Sequence, residues 1–241
     1  MKGVEWSRWG EEIVSNMGSE DAEKRLVGSK AADYVQSGMR IGIGTGSTAY
    51  WFIQALAQRV SQEGMTMEGV ATSEATVRLC RKLGIPMGSI DRLDHLDLDV
   101  DGADEVNPQG QLIKGGGGAL VRERLVARAA DQFLVIVDHS KLVEDLGQFP
   151  LPIEVVPFAW KTTASRIADL GVDPELRKSQ GKAFVTDNGN YILDVKWGPI
   201  TDPEAVYRTL KLTAGVIDAG IFYEFSPTVL VANGGKVEER R

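Results

Sequence analysis

The sequence has few of the residues that build covalent cross-links and metal sites: its 241 residues include one cysteine and two histidines. A single cysteine excludes an intramolecular disulfide and favours a reducing compartment. Cys80 stands in the amphipathic stretch ATVRLCRKLG, so we predict a buried structural thiol. His139 stands alone in a predicted loop and His95 in the polar stretch DRLDHLD, and we expect neither to be catalytic.

Long apolar runs and an excess of positive charge are also missing. No run approaches the roughly 18 residues of a membrane span, and MKGVEWSRWGEEIVSNMG is charged where a secretory signal needs an apolar core. The net charge of −7 and the pI near 5.0 disfavour nucleic acids and anionic membranes as partners. We therefore expect a cytoplasmic protein without such partners. A phosphate-bearing small molecule stays open, because it needs only a local cationic pocket.

Apolar strands alternate with helical segments through the first 146 residues. MRIGIGTG, EGVATS, LDLDVDGADEV and FLVIVD predict strands, and stretches with helical spacing follow most of them. FLVIVD is apolar on both faces, which is typical of a parallel strand covered by helices. The sequence therefore predicts an α/β fold with a mainly parallel sheet, which the strand TVLVANG rejoins near the end.

The pattern changes after FPLPIEVVP. A strand, a helix and a hairpin around Asp187, Asn188 and Gly189 follow, and then a helix with Asp202 as its cap and Pro203 at its first position. With the strand GVIDAGIF, this gives the β-α-β-β-α-β order of the ferredoxin-like pattern. We predict a core formed by residues 1–146 and 223–241 and an inserted α+β domain over residues 147–222.

Large apolar side chains near the start of the chain recur at helical spacing. Trp6, Trp9, Ile13 and Met17 are three, four and four residues apart, so we expect them to share one face of a helix. Such a face would serve packing or oligomer formation.

Glycines mark the turn after the first strand, in GIGTGSTA. They let a ligand approach the backbone, and Ser47 and Thr48 stand at the start of the next helix, where free N–H groups favour an anion. The stretch lacks both the lysine of a Walker loop and the full dinucleotide spacing. From these residues alone, a phosphate loop and a plain strand-to-helix turn are equally good interpretations.

Carboxylates cluster in DVDGADEV, where Asp99, Asp101, Asp104 and Glu105 follow one another at the end of a strand. Ligands of open α/β sheets bind just outside the carboxyl ends of the strands. If Asp101 and Asp104 share a pocket, each raises the pKa of the other, as acid–base chemistry requires. The alternatives are a solvated acidic turn and a divalent-metal site, and the lack of neighbouring histidines argues against the metal.

The stretch KGGGG, residues 114–118, places a cation beside a very flexible backbone. Ordering each glycine costs roughly 0.5–1 kcal/mol relative to alanine, which indicates that something must approach this backbone closely. Glu123 falls early in the next helix, where the dipole alone favours an acidic residue. Lys114 alone could simply be an exposed surface cation, and Lys141, after another predicted strand, adds a further cation. All these loops follow strands of one sheet, so we expect them along one edge.

These motifs together resemble the type A ribose-5-phosphate isomerase family. GIGTGSTA, DVDGADEV, KGGGGALVRE, VDHSK, FPLPIEVVP and VTDNGNYILDV occur in the order of that family and at about its spacing, from about Ala22 nearly to the C-terminus. The resemblance implies a Rossmann-like core with an inserted ferredoxin-like lid domain, a homodimer or homotetramer, and no metal or organic cofactor. The implied reaction interconverts D-ribose 5-phosphate and D-ribulose 5-phosphate in the non-oxidative pentose phosphate pathway.

The resemblance also implies a role for individual residues. Glu123 would be the general base that moves a proton between C1 and C2, and Asp101, Asp104 and Lys114 would be the other catalytic groups. Lys24 loosely matches a basic residue directed at the phosphate. The implied substrate-binding residues are Thr45, Gly46, Ser47, Thr48, Asp101, Gly102, Ala103, Asp104, Lys114, Gly115, Gly116, Gly117 and Lys141.

Two positions depart from the family pattern: Gly118 stands where alanine is common, and Glu74 where a serine-rich loop often carries aspartate. Three other functions share a similar core. A sugar-phosphate sensor is expected to lack Glu123, Asp101 and Asp104, all of which are present. An amino-sugar-phosphate deaminase would release ammonia, and a coenzyme A transferase would form a glutamyl thioester.

Overall fold

The computed structural model describes residues 19–92 and 95–241, and its centre is a six-stranded sheet. The strand order is β15-β14-β6-β3-β1-β2, and all neighbours are parallel except β14 and β15. The strands are β1 Arg40–Ile43, β2 Glu68–Ala71, β3 Leu98–Asp101, β6 Phe133–Asp138, β14 Thr228–Asn233 and β15 Lys236–Arg240. One prediction falls outside the described residues: the helix face of Trp6, Trp9, Ile13 and Met17.

Within the described residues, four helices accompany this sheet: α1 Ser19–Ala32, α2 Ser47–Gln62, α3 Glu74–Lys82 and α4 Leu120–Arg128. Helix α2 forms where apolar residues recur at helical spacing, and it buries Phe52, Ile53 and Leu56 in the main core. All six residues of β6 are buried, as its two apolar faces predicted. The mainly parallel, helix-covered sheet is therefore confirmed.

The inserted segment folds around a second, antiparallel sheet with strand order β12-β7-β11-β8. Its elements are β7 Leu151–Val155, α5 Trp160–Ala168, β8 Pro174–Leu176, β11 Tyr191–Val195, α6 Pro203–Leu212 and β12 Val216–Ala219. Asp202 caps α6 by accepting a hydrogen bond from the Ala205 N–H at 3.0 Å, as predicted. This is the ferredoxin-like arrangement, so the predicted fold class is confirmed, while the boundaries 147–222 stay a prediction.

The predicted hairpin in this domain has a different partner strand. Residues 182–195 were expected to pair with each other, but β11 pairs with β8. The reason lies in Gln180 and Gly181, whose positive φ angles of 52° and 78° make a tight two-residue turn. That turn joins β9 Lys178–Ser179 to β10 Lys182–Ala183 in a small hairpin of their own.

A three-stranded sheet joins the core to the inserted domain. It contains β4 Glu105–Val106, β5 Leu112–Ile113 and β13 Ile221–Phe222, in the order β13-β5-β4. Lys114 follows β5 directly, and its N–H donates to the Gly220 carbonyl at 2.9 Å. The glycine loop therefore starts at the junction of the two domains.

Cys80 on α3 is fully buried in the main core, as predicted. Burial raises the pKa of its thiol to about 12, so the thiol stays protonated at neutral pH. In the part of the chain that the structure describes, no helix has the length and apolar character needed to cross a membrane.

Candidate active site

A pocket of about 270 Å³ lies at the carboxyl ends of the central strands. The turn after β1, the loop after β3, the glycine loop after β5 and the 3₁₀ turn His139–Lys141 after β6 all meet there. Its lining comprises Thr45, Gly46, Ser47, Thr48, Ala49, Gly102, Ala103, Asp104, Lys114, Gly115, Gly116, Gly117, Glu123 and Lys141. The structure thus brings together every predicted site residue in the pocket wall except Asp101, which lies behind it. Ala49 is the one lining residue that the sequence did not predict.

Lys114 lies between two carboxylates at the base of the pocket. Its Nζ is 3.0 Å from Asp101 Oδ2 and 3.4 Å from Glu123 Oε2, and it also donates to the Gly102 carbonyl. The side chains of all three ionisable residues are at most 3% exposed. The simple interpretation of Lys114 as an exposed surface cation is therefore wrong.

Burial and a shortage of cations shift the pKa values of this cluster. Burial raises the pKa of Glu123 from 4.5 to about 8, against the opposing effect of Lys114. It also raises the pKa of Asp101, and it raises that of Asp99 well above the usual value, because Asp99 is fully buried next to the Asp101 charge. Burial works against the Lys114 cation, yet the surrounding carboxylates raise its pKa. The cluster therefore holds more carboxyl groups than can all be ionised without a large cost in free energy.

Glycines let the backbone approach these carboxylates. A Cβ on Gly44 would lie 1.9 Å from Asp101 Oδ1, and one on Gly116 would lie 2.5 Å from Asp104 Oδ1. Instead, Asp101 Oδ1 accepts from the Thr45 N–H at 3.1 Å, and Asp104 Oδ2 accepts from the Gly116 N–H at 2.7 Å. Each aspartate thus fixes one wall of the pocket.

The start of helix α2 forms the other end of the pocket. Gly46 precedes the helix with φ 130°, and no side chain caps the free N–H groups of the first turn. Lys141 lines the same pocket. Free helix N–H groups beside a lysine form a site suited to an anion such as phosphate.

A cluster of hydroxyls that the sequence motifs did not predict supports this loop. Thr45 Oγ1 lies 2.7 Å from Thr72 Oγ1, 2.8 Å from Ser73 Oγ and 3.1 Å from Thr76 Oγ1. The stretch ATSEATV carries the signal, because Ser73 also caps α3 by accepting from the Thr76 N–H. These hydroxyls hold the turn after β1 against the neighbouring strand.

Comparison with known proteins decides which family has this arrangement. The family model for ribose 5-phosphate isomerase A (phosphoriboisomerase A) matches residues 68–236. Ribose-5-phosphate isomerase A 1 of Oceanobacillus iheyensis is 45% identical over 215 residues, which cover 89% of this chain and 96% of that protein. The chain belongs to the ribose 5-phosphate isomerase A family. It is therefore an isomerase.

Solved structures of the family share the fold over nearly the whole chain. Ribose 5-phosphate isomerase A from Methanocaldococcus jannaschii matches with a TM-score of 0.86 and 37% identity, covering 90% of this chain and 97% of its own. A D-ribose-5-phosphate isomerase in complex with phospho-erythronic acid matches with a TM-score of 0.89 and 37% identity, covering 92% and 99%. The isomerase fold is thus shared at both the core and the inserted domain.

The two departures from the family pattern have structural reasons in this isomerase. Gly118 has φ +80°, and a Cβ there would lie 2.5 Å from the Phe184 ring. Glu74 Oε1 accepts from Arg122 Nη1 at 3.1 Å, and Arg122 Nη2 donates to the Asp187 carbonyl at 3.0 Å. Both positions therefore join the inserted domain to the core.

Some residues considered from the sequence lie apart from the pocket lining. Lys24 pairs with Glu20, with 3.7 Å between Nζ and Oε2, so its loose match to a phosphate-directed residue has no support in this geometry. His139 Nδ1 lies 2.7 Å from Glu23 Oε2. His95 is exposed. Among the described residues, its ring, Asp97 and Asp131 lie close enough together to hold a metal ion, but at the amino end of β3 and thus at the opposite edge of the sheet. The expectation that the isomerase uses no metal stays a prediction.

Proposed function

We propose that this isomerase interconverts D-ribose 5-phosphate and D-ribulose 5-phosphate through an enediolate, with Glu123 as the general base. The observation that carries the proposal is the position of Glu123, which is buried in the pocket wall with its Oε2 3.4 Å from the Lys114 ammonium. Burial raises the pKa of this carboxyl group to about 8. A general base works best when its pKa lies near the working pH. A positioned base of this kind contributes roughly 100- to 10,000-fold to the rate.

The reaction needs a cation beside the base. Removing the proton from the carbon next to the carbonyl leaves negative charge on the carbonyl oxygen. The Lys114 ammonium, held by Asp101, is a preorganised positive charge whose side chain is buried from solvent. N–H groups of the glycine loop add further donors. We assign the enediolate oxygen to this side of the pocket.

Asp101 and Asp104 take part in proton transfers among the sugar hydroxyls, including the opening of the furanose ring. Asp104 lines the pocket, while Asp101 is fully buried beneath it. Because Asp101 accepts from the Thr45 N–H and lies beside Lys114, it also orients both walls. The two aspartates divide this work between a half-buried position in the pocket wall and a fully buried position beneath it.

The phosphate binds at the start of α2, near Ser47, Thr48 and Lys141. Its binding energy holds the reacting carbons near Glu123, which turns remote contacts into rate. The similar D-ribose-5-phosphate isomerase in complex with phospho-erythronic acid supports an acid phosphate as a ligand of this pocket. An anion-binding helix end opposite a carboxylate base therefore suits a sugar phosphate as substrate.

The remaining assignments concern the setting of the enzyme. We place it in the non-oxidative pentose phosphate pathway, in the cytoplasm, as a homodimer or homotetramer without a metal or organic cofactor. Residues 147–222 form a lid that excludes water from the pocket. Light scattering after size-exclusion chromatography tests the oligomer, and a monomeric mass would overturn it.

The experiment is an NMR assay of ribose 5-phosphate conversion with EDTA present, for the wild type and Glu123→Gln. We expect rapid conversion by the wild type and a loss of roughly 100-fold or more in the variant. No conversion by the wild type would overturn the substrate, and an unchanged variant would overturn the base. Complete inhibition by EDTA would overturn the metal-free mechanism.

A further inference from the structure

The glycine loop, residues 115–118, is a thin wall between two clefts. One is the pocket described above, and the other, of about 390 Å³, lies behind the loop and is lined by residues of the inserted domain. Gly116 lines both clefts. The loop can therefore be contacted from behind without blocking the substrate.

Arg177 makes that contact from the end of β8. Its Nη1 donates to the Gly115 carbonyl at 2.9 Å and to the Gly116 carbonyl at 3.0 Å. Its other two nitrogens donate to the Asp194 carboxylate on β11, with 2.8 Å between Nε and Oδ2. One planar guanidinium thus ties two strands of the inserted domain to two successive peptide groups of the loop.

These bonds fix the direction of the loop N–H groups. A trans peptide unit points its N–H opposite to its C=O, and the described residues contain no cis peptide bond. The Gly116 N–H donates to the Asp104 carboxylate, and the Gly118 N–H donates back to the Gly115 carbonyl. The peptide between Gly116 and Gly117 lies between these two bonds, and its carbonyl accepts from Arg177. Its N–H, which belongs to Gly117, therefore points away from Arg177 and towards the pocket that Gly117 lines.

Phe184 holds the far end of the same loop. Its ring occupies the space that a side chain at Gly118 would need, and the Arg177 guanidinium lies 5.9 Å from its centroid. Backbone bonds fix both residues, because the Phe184 N–H donates to the Arg177 carbonyl at 2.9 Å. The inserted domain therefore supports the loop at both of its ends.

We propose that Arg177 is a positioning residue, which turns and polarises the peptide between Gly116 and Gly117 so that the Gly117 N–H stabilises the enediolate oxygen. The proposal rests on the function proposed above. It gives the inserted domain a part in catalysis beyond covering the pocket. Only arginine has enough donors in one plane to hold a carboxylate and two carbonyls at once, so lysine cannot replace it.

The test compares Arg177→Met and Arg177→Lys with Lys196→Met. Lys196 is an exposed cation that lines the same rear cleft, so its removal changes the charge there without touching the loop bonds. We expect both Arg177 variants to lose roughly 10- to 100-fold in kcat, with KM for ribose 5-phosphate changed less than about threefold. Lys196→Met should stay within about twofold of the wild type.

A second measurement separates positioning from loss of structure. Phospho-erythronic acid carries a carboxylate at the reacting end, so its affinity should fall in parallel with kcat/KM, while inorganic phosphate should bind as to the wild type. Thermal unfolding verifies that each variant is folded, and Arg177→Lys serves if the methionine variant is unstable. Wild-type kcat in Arg177→Lys, an equal loss in Lys196→Met, or an equal loss of phosphate affinity would each overturn the proposal.

Glu123→Gln in the same assay distinguishes this proposal from the one beneath it. If Glu123→Gln loses activity and the Arg177 variants do not, the role of Arg177 is overturned and the general base stands. If Glu123→Gln keeps its activity, the base assignment fails. The affinity of the Arg177 variants for phospho-erythronic acid then still decides whether the loop donor depends on Arg177.

Discussion

Two buried ion clusters meet at helix α4 through adjacent residues, and they differ in how well their charges are matched. Arg124 belongs to the first cluster and Glu123 to the second, and both side chains are almost fully buried. Because the two residues are neighbours on one helix and buried to a similar depth, the two clusters can be compared by how their charges are paired. The difference is whether each charge has a partner.

The Arg124 cluster is balanced. Arg124 Nε donates to Asp218 at 2.7 Å, and Nη2 donates to the carbonyls of Ala219 and Ile221 at 2.9 and 2.8 Å. Its Nη1 donates to Glu224. Every arm of the guanidinium thus has an acceptor, so this cluster has the form of a structural joint between α4 and the strands that leave the inserted domain.

The Glu123 cluster is unbalanced. Lys114 is its cation, and Asp99, Asp101, Asp104 and Glu123 contribute carboxyl groups around it. Neither oxygen of Asp99 has a hydrogen-bond partner among the described residues, whereas in the Arg124 cluster Glu224 Oε2 alone lacks one. An excess of buried carboxyl groups lowers stability, and it also keeps the pKa of a proton-accepting group near neutral pH. In this protein, matched buried charge supports the fold, while unmatched buried charge supports chemistry.

Removing Arg124 should have the largest effect on stability. Arg124→Met removes the buried cation that Asp218 and Glu224 share. Only the more exposed Lys211 and Arg128 then remain beside them, and breaking a buried ion pair in this way costs about 3–5 kcal/mol. Urea denaturation measures the loss, and Arg128→Met is the control, because Arg128 also pairs with Glu224 but is 58% exposed. Equal stability of the two variants would show that the balanced cluster is not a structural joint.

The same substitution in the two clusters should change stability in opposite directions. Glu224→Gln weakens a charged hydrogen bond to Arg124 and should cost about 1.5–3 kcal/mol. Glu123→Gln should stabilise the protein at pH 8, by roughly 1 kcal/mol or more, because a neutral amide replaces a carboxylate that is expensive to bury.

The sign of the Glu123 effect depends on pH. The folded pKa of about 8 lies above the ordinary value of 4.5, so the stability that this group contributes is full below pH 4.5 and is lost as the pH rises towards 8. Urea denaturation at pH 5 and pH 8 should therefore show a gain for Glu123→Gln that grows with pH. A gain that is constant or shrinks with pH would contradict the shifted pKa.

The pH dependence of the rate should report the unbalanced cluster. Glu123 must be ionised to accept a proton, so kcat/KM should rise about tenfold per pH unit until it levels off near pH 8. The affinity for inorganic phosphate over the same range separates the titration of the ligand from that of the enzyme. An acid limb near pH 4.5 would mean that burial does not raise the pKa of the base.

The smallest effect is expected at Asp99. Burial raises the pKa of Asp99 well above its ordinary value and so favours the neutral acid, which Asp99→Asn replaces by a neutral amide of the same shape. We expect kcat to stay within about threefold of the wild type and stability to be unchanged or slightly higher. A large loss of activity would show that Asp99 is ionised and acts on its neighbours through its charge.

The sequence predicted most of the pocket because its motifs follow strands of one parallel sheet. Glu123, Lys114 and the loops around Thr45 and Asp104 lie together for that reason, since the carboxyl ends of parallel strands share one edge. Whether Lys114 is an exposed cation or a buried partner could not be decided from the sequence. That depends on the depth of β5 and its neighbours, which is a property of the packed structure.

The rear support of the glycine loop was beyond reach of the sequence. Arg177 stands in PELRKSQGK, a polar stretch without periodicity, and it meets Gly115 and Gly116 only after the inserted domain has folded against the core. The predicted hairpin partner of β11 was also wrong, because the turn at Gln180 and Gly181 pairs β10 with β9 and leaves β11 to pair with β8. Contacts between domains carry no signal in the local pattern of either segment.

The fate of the C2 proton of ribose 5-phosphate, followed by NMR in D₂O, tests the central claim most directly. In the wild type this proton should be transferred to C1 or exchanged for deuterium as ribulose 5-phosphate forms. In Glu123→Gln both transfer and exchange should fall by roughly 100-fold or more, while phosphate binding is retained. A variant that moves or exchanges the C2 proton within about threefold of the wild-type rate would contradict the assignment of Glu123 as the base.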